Sequence, residues 1–179
     1  VKAGDDLENM FNMKMISQLI VEPPASPAVS LYPRRRFNDM LRCVAAYRGG
    51  INPWVNIGQL DNINGAECFE RAALDVVVKY EDWFWEGKRA TGEFKVSGLR
   101  SAEEDLAAFR LPGRPLLLLV FNDGRKPKKV AISCLSASKG AKWTDGLTGK
   151  PLGSGTSVSF EIDGHNTKVI EIEGADEAR

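Results

Sequence analysis

The sequence predicts an α/β region followed by an all-β region, on three observations. Apolar residues recur at helical spacing through the first ninety residues, and the period switches to two beyond Arg89. Leu116–Phe121 is a continuous apolar run, as expected for a strand buried on both sides or central in its sheet. The organisation that follows is 1–89 as terminal β/α units, 90–174 as an antiparallel β-sandwich, and 175–179 as a polar tail.

In the first region, Asp5 and Asp6 precede Leu7, Met10 and Phe11, a short helix end. Met15–Val21 reads as a mostly apolar strand. Glu22-Pro23-Pro24 then leaves regular structure, because proline fixes φ and removes a donor. Phe37, Met40, Leu41, Val44 and Ala45 lie on one helical face, and Gly49-Gly50 ends that helix. Ile51–Gly58 is a short extended piece containing Pro53. Asn64 and Glu67 have capping-box spacing ahead of a second helix that presents Ala66, Phe69, Ala73, Val76, Val77, Tyr80 and Phe84 on one face and closes at Gly87. Strands alternating with helices imply right-handed crossovers and a parallel sheet.

In the second region, strands are expected over 93–97, 106–111, 115–122, 128–135, 141–148, 157–163 and 167–173, with Ser101–Asp105 as a loop. Asp123-Gly124 is a hairpin signal. Further turns are marked by Pro112-Gly113-Arg114, Ser138-Lys139-Gly140, Gly149-Lys150-Pro151, Gly153-Ser154-Gly155 and Asp163-Gly164. Short strands at this spacing suggest a sandwich.

Composition excludes several functions. The 179 residues carry 24 basic and 24 acidic side chains, for a formal net charge of zero, which argues against nucleic acid as a partner. No apolar run approaches the roughly 20 residues of a membrane helix, so no membrane partner is expected. Cys43, Cys68 and Cys134 are odd in number and form no metal-ligand spacing, so they read as small buried apolar residues. His165 sits in a turn and reads as solvated rather than as the base of a triad. No cofactor and no metal is proposed. The chain opens at Val1 on a polar, acidic stretch, and localisation is not legible from it.

Two parallel strands cannot bury both faces of a sheet or hide its edges. The economical reading is that the chain is the C-terminal piece of a larger α/β fold. Two alternatives stay open: the helices pack on the sandwich as one α+β unit, or a second copy completes the sheet.

Leu19-Ile20-Val21-Glu22-Pro23-Pro24, the helix ending Ala45-Ala46-Tyr47-Arg48-Gly49-Gly50, and Ile51-Asn52-Pro53-Trp54 resemble the seventh and eighth units of a (β/α)8-barrel glycoside hydrolase. Glu81–Arg89 is similar to the end of the last barrel helix. Leu116–Asp123, Thr144-Asp145-Gly146-Leu147-Thr148-Gly149-Lys150 and Thr167–Ile172 resemble the β-sandwich that follows such barrels. The resemblance implies the end of a partial barrel packed on an antiparallel β-sandwich, a carbohydrate substrate, and a missing N-terminal barrel region of the same chain as partner. The fragment by itself would be inactive.

Barrel active sites lie at the C-terminal ends of the strands, which is where Glu22 falls. It would be the nucleophile or general acid/base, with its partner carboxylate on an earlier strand. The bland reading is a polar residue opening a proline-rich loop. Trp54 could stack on a sugar ring, and Asn52 and Asn56 could bond its hydroxyls. Filling space between barrel and sandwich explains Trp54 equally well. Asp61 and Asn62 would line the same mouth or form a turn. Tyr80, Trp83, Phe84 and Trp85 suit the seam between the two regions, Trp143 suits packing in the sandwich, and Arg34-Arg35-Arg36 suits a solvated run. The competing function is a non-enzymatic carbohydrate- or protein-binding sandwich, in which Trp54, Trp83 or Trp85 would form an exposed patch.

Overall fold

The computed structural model describes residues 66–175 and, upstream, Asn38, Leu41, Arg42, Val44 and Ala45, which are helical. Helix α1 (Ala66–Lys79) is followed by α2 (Glu81–Trp85), and the chain then enters nine strands. These are β1 (Lys88–Arg89), β2 (Phe94–Ser97), β3 (Leu106–Arg110), β4 (Leu116–Asn122), β5 (Lys128–Cys134), β6 (Ala137–Asp145), β7 (Pro151–Ser154), β8 (Ser157–Ile162) and β9 (Asn166–Ala175). A short helix, α3 (Ala102–Asp105), precedes β3. Every pairing among the described residues is antiparallel. One sheet has the order β1-β3-β4-β9-β6-β7 and the other β2-β5-β8.

The sheets stack as a sandwich around Leu106, Leu118, Val120, Trp143, Ile170 and Ile172 from the large sheet and Phe94, Val130, Ile132, Val158 and Ile162 from the small one. A second core lies on the opposite face of the large sheet. There Ala107, Phe109, Leu117, Leu119, Phe121 and Val169 meet Leu41, Val44, Ala45, Ala73, Val76, Tyr80, Trp83 and Phe84 from the helices. The described residues therefore form three layers: helices, large sheet, small sheet. All seven residues of β4 are buried, because odd and even positions each have a core to enter. β5 and β8 instead alternate apolar and polar, since only one face of the small sheet is covered.

Several sequence expectations are corrected. Asp123-Gly124 does not form a hairpin. β3 and β9 occupy the two edges of β4, so β5 has no edge to join there and pairs with β8 in the other sheet. Asn122 fixes the crossover, its amide donating to the carbonyls of Lys126 at 3.0 Å and Asp163 at 2.9 Å, while its Oδ1 accepts from the Gly124 N–H at 3.0 Å. Ser101–Asp105 is not a loop: Ser101 caps α3, accepting from the Glu104 N–H at 3.1 Å. Ser138-Lys139-Gly140 lies inside β6, where the register against β9 shifts between Ala137 and Lys142, so a bulge takes the place of the turn. The helix expected to run through Phe84 breaks at Tyr80. The capping pair and the helix-face residues Phe37 and Met40 lie outside the described residues or side chains.

Trp83 is buried, its indole N–H donating to the Pro115 carbonyl at 2.9 Å, so it belongs to the helix–sheet core and not to an exposed patch. Trp85 leaves the seam; it is 52% exposed. Trp143 is fully buried between the sheets and donates to the Gly155 carbonyl at 2.8 Å. Cys134 is a buried free thiol in the inter-sheet core. His165 adopts a positive φ of 51° in the turn before β9.

Candidate functional site

The residues singled out for catalysis and sugar contact, Glu22, Asn52, Trp54, Asn56 and Asp61, lie outside the described residues, as do Asn62 and Arg34–Arg36. The described polar chemistry gathers at the junction of helices and large sheet, around the half-buried Arg110–Glu93 ion pair at 2.7 Å, which Ser136 joins, and on the outer face of the small sheet.

At one end of the junction, Asp105 at the end of α3 is 2% exposed. Its carboxylate accepts from the Arg100 backbone N–H at 2.9 Å and from the Arg100 guanidinium, and pairs with Arg42 at 3.2 Å. Asp123 joins the same two arginines, at 3.1 Å to Arg42 and 2.7 Å to Arg100. Arg42 also donates to the Glu104 carbonyl and lies over the Phe121 ring, 4.4 Å from its centroid. Asn38 completes the network, donating to Asp123 at 2.8 Å and accepting from the Thr167 hydroxyl at 3.0 Å. Burial by itself would raise the Asp105 pKa, but the Arg100 hydrogen bonds and charge, with the Arg42 bond, overcome it and hold the carboxyl below its usual range.

At the other end, α1 delivers Lys79 and Tyr80 to the β6–β7 turn. The Tyr80 hydroxyl bonds Glu171 and lies 3.1 Å from the Gly146 carbonyl, to which Lys79 donates at 2.7 Å. Burial, then the hydrogen bond to Glu171, then the charges of Glu171 and Asp145 push the phenol far above its ordinary value. Asp145 is the first residue of the Asp-Gly-Leu-Thr-Gly-Lys motif. Its Oδ1 accepts from the N–H groups of Leu147 at 3.0 Å and Thr148 at 2.9 Å, and Oδ2 pairs with Lys168 at 2.6 Å. Burial would raise this carboxyl too; the Lys168 bond and charge and the two turn amides bring it below its usual range. A Cβ at Gly146 would collide with the Tyr80 hydroxyl, so the glycine is what admits the helix.

Chemically, Asp105 and Asp145 are ionised at neutral pH and spend their lone pairs on fixed donors. Neither suits a general acid, which needs a raised pKa. Asp105 suits a clamp that fastens the upstream helix to the sandwich through Arg42, and Asp145 suits one that fixes the turn receiving Tyr80. Sequence reasoning missed the Asp105 network. The signal available was an acid at the start of an otherwise apolar stretch, Asp105-Leu106-Ala107-Ala108-Phe109.

On the outer face of the small sheet, two cross-strand rows run Lys95–Ser133–Ser157 and Ser97–Ala131–Ser159, and Lys129 pairs with Glu161 at the end of the sheet. An open trough of about 530 Å³ crosses it, lined by Ser97, Lys129, Val130, Ala131, Ser159, Phe160 and Glu161.

No family model matches the sequence, and no curated protein matches it. Among solved structures the chain is similar to α-galactosidase I from Mortierella vinacea, at 13% identity and a TM-score of 0.51, with 89% of this chain and 39% of that chain covered. An Anoxybacillus α-amylase, described as giving insight into a new glycosyl hydrolase subclass, aligns at 12% identity and a TM-score of 0.48, covering 86% of this chain and 34% of that one. The likeness to the α-galactosidase is one of fold. This chain spans about two fifths of that enzyme's length.

Proposed function

We propose that this chain is the C-terminal portion of a carbohydrate-active glycoside hydrolase, in which the sandwich braces the last β/α units of a barrel. The division at 89/90 and the barrel itself are part of this proposal. The observation that carries it is the second core: the large sheet commits an entire apolar face, from Ala107 to Val169, to helices arriving from upstream. A free-standing sandwich leaves its outer faces polar. The fold shared with part of an α-galactosidase supports the same reading.

In this reading Glu22 is the nucleophile or general acid/base, Trp54 stacks on the sugar, and Asn52, Asn56 and Asp61 bond its hydroxyls. Glycoside hydrolysis needs two carboxyl groups, and the second belongs to an earlier strand of the parent protein, so the fragment alone is inactive. The test is hydrolysis of aryl glycosides by the full-length parent and its Glu22→Gln variant. A fall in kcat of about a thousandfold or more is expected for a lost catalytic carboxylate. Unchanged turnover removes Glu22 from the mechanism.

A further inference from the structure

Among the described residues the two sheets end in four edge strands, β1 and β7 of the large sheet and β2 and β8 of the small one. An uncovered edge is a template for another strand, and three of these four are blunted. β1 is two residues long. β7 opens with Pro151, which has no N–H, and the β6–β7 register shifts between Trp143 and Thr144. β2 has four residues and spends the Phe94 N–H on the Thr91 carbonyl. β8 differs. Its six residues, Ser157-Val158-Ser159-Phe160-Glu161-Ile162, hold no proline and one charge, and they pair with β5 without a bulge. The ladder also fixes which groups of β8 are spare. The Cys134 N–H bonds the Thr156 carbonyl at 2.9 Å, and in an antiparallel pair bonded residues recur at every second position. Val158, Phe160 and Ile162 therefore bond inward to β5, while the N–H and C=O groups of Ser157, Ser159 and Glu161 point out of the sheet edge.

We propose that β8 pairs antiparallel with β8 of a second copy of this chain, about a two-fold axis through Ser159, joining two three-stranded sheets into one. Backbone parity and side chains together select this register. Only an axis through Ser157, Ser159 or Glu161 matches outward groups to outward groups. An axis through Glu161 sets two carboxylates opposite each other, which is unfavourable. An axis through Ser157 leaves Ser159 and Glu161 facing the turn that precedes β8. The axis through Ser159 pairs Ser159 with its own copy, Glu161 with Ser157, and Val158 with Phe160. No like charges meet, and Phe160, half-buried against the inter-sheet core, gains an apolar neighbour. The side chains of Ser157, Ser159 and Glu161 stay on the outer face, so the trough over Ser97, Ala131 and Ser159 continues across the axis.

The inference is independent of the hydrolase reading and is tested by mass, not by turnover. Sedimentation of the whole chain should show a mass that climbs from monomer to dimer with concentration. Ser159→Cys should form a covalent dimer on mild oxidation. Bonded partners in such a ladder stand about 5.5 Å apart at Cα, inside the roughly 4.4–6.8 Å that a disulfide spans. Ser97→Cys lies on the same outer face at the far edge, about 24 Å from its own copy across five strand spacings. It should crosslink no more than the wild type. Ser159→Lys sets two cations on the axis, and Ser159→Pro removes the outward donor alone. Each should weaken dimerisation at least about tenfold with circular dichroism unchanged. Should proline disturb the strand, the lysine variant decides. A chain that stays monomeric at every concentration overturns the proposal. So does a dimer that Ser159→Lys leaves intact, or a Ser159→Cys chain that crosslinks no faster than Ser97→Cys.

Discussion

The two sheets of the sandwich pair the same way and differ in what covers them. The large sheet has a core on each face: Leu118 and Val120 point to the small sheet, while Leu117, Leu119 and Phe121 point to the helices. The small sheet buries Val130 and Ile132 and turns Lys129 and Ala131 outward. The difference teaches that helix docking is written into the large sheet as deeply as sheet stacking. The helical layer is therefore part of the fold, held at its ends by Arg42 and Tyr80.

The sharpest way to break this contrast is to change one residue on each covered or uncovered face. Leu119→Ala empties the helix–sheet core and should lower the unfolding free energy by about 2–5 kcal/mol in urea titrations. Ala131→Ser on the water-facing side of the small sheet should stay within about 0.5 kcal/mol. Similar losses at both positions would mean that the outer face of the small sheet is also buried.

Next in size is the Asp105 clamp. Asp105→Asn leaves Arg42 and Arg100 with only the exposed Asp123 as a shared anion. Because Arg100 is 48% exposed and can turn to water, the cost is discounted to about 2–3 kcal/mol. The same clamp sets a pH dependence. The folded pKa values of Asp105 and Asp145 are depressed, so the unfolded chain binds more protons. Their stabilisation is complete above the ordinary carboxylate pKa of about 3.9 and is lost as the pH falls through the depressed values. Urea midpoints measured from pH 7 to pH 2 should fall less steeply in Asp105→Asn than in the wild type. Parallel curves would take Asp105 out of the account.

The smallest effect is the most specific. Gly146→Ala should cost about 1–3 kcal/mol by crowding the Tyr80 hydroxyl, and Tyr80→Phe about 1–2 kcal/mol by removing the hydroxyl that bonds Glu171 and leaving that carboxylate to Lys79, 3.1 Å away. Together they should cost less than their sum, because Phe leaves room for the new methyl. Strict additivity would show that the two residues do not press on one another.

Much of this architecture was legible in the sequence. The apolar run of β4 announced a strand with two buried faces, and the alternation of β8 and β9 announced strands of a sandwich. Leu41, Val44, Ala45, Ala73 and Val76 fell on the buried helix faces that their spacing indicated. What misled was turn chemistry. Asp123-Gly124 reads as a hairpin because local signals carry no information about which strand edges are free, and both edges of β4 were taken. Ser138–Gly140 reads as a turn because a bulge recruits the same residues. The candidate site was less legible still. The helix contacts join residues more than 60 positions apart, Arg42 with Asp105 and Tyr80 with Glu171, and only the folded register brings them together. The Asp145 motif was visible, but its purpose, a turn shaped to receive Tyr80, was not.

The central claim is that the large sheet is completed by the helices. It is tested most directly by a chain beginning at Lys88, which keeps every strand and removes the layer that covers Phe109, Leu117, Leu119 and Phe121. The account predicts that this chain binds an apolar-surface dye, self-associates in sedimentation and loses cooperative unfolding. A monomer that unfolds at the midpoint of the whole chain and leaves the dye dark would contradict it.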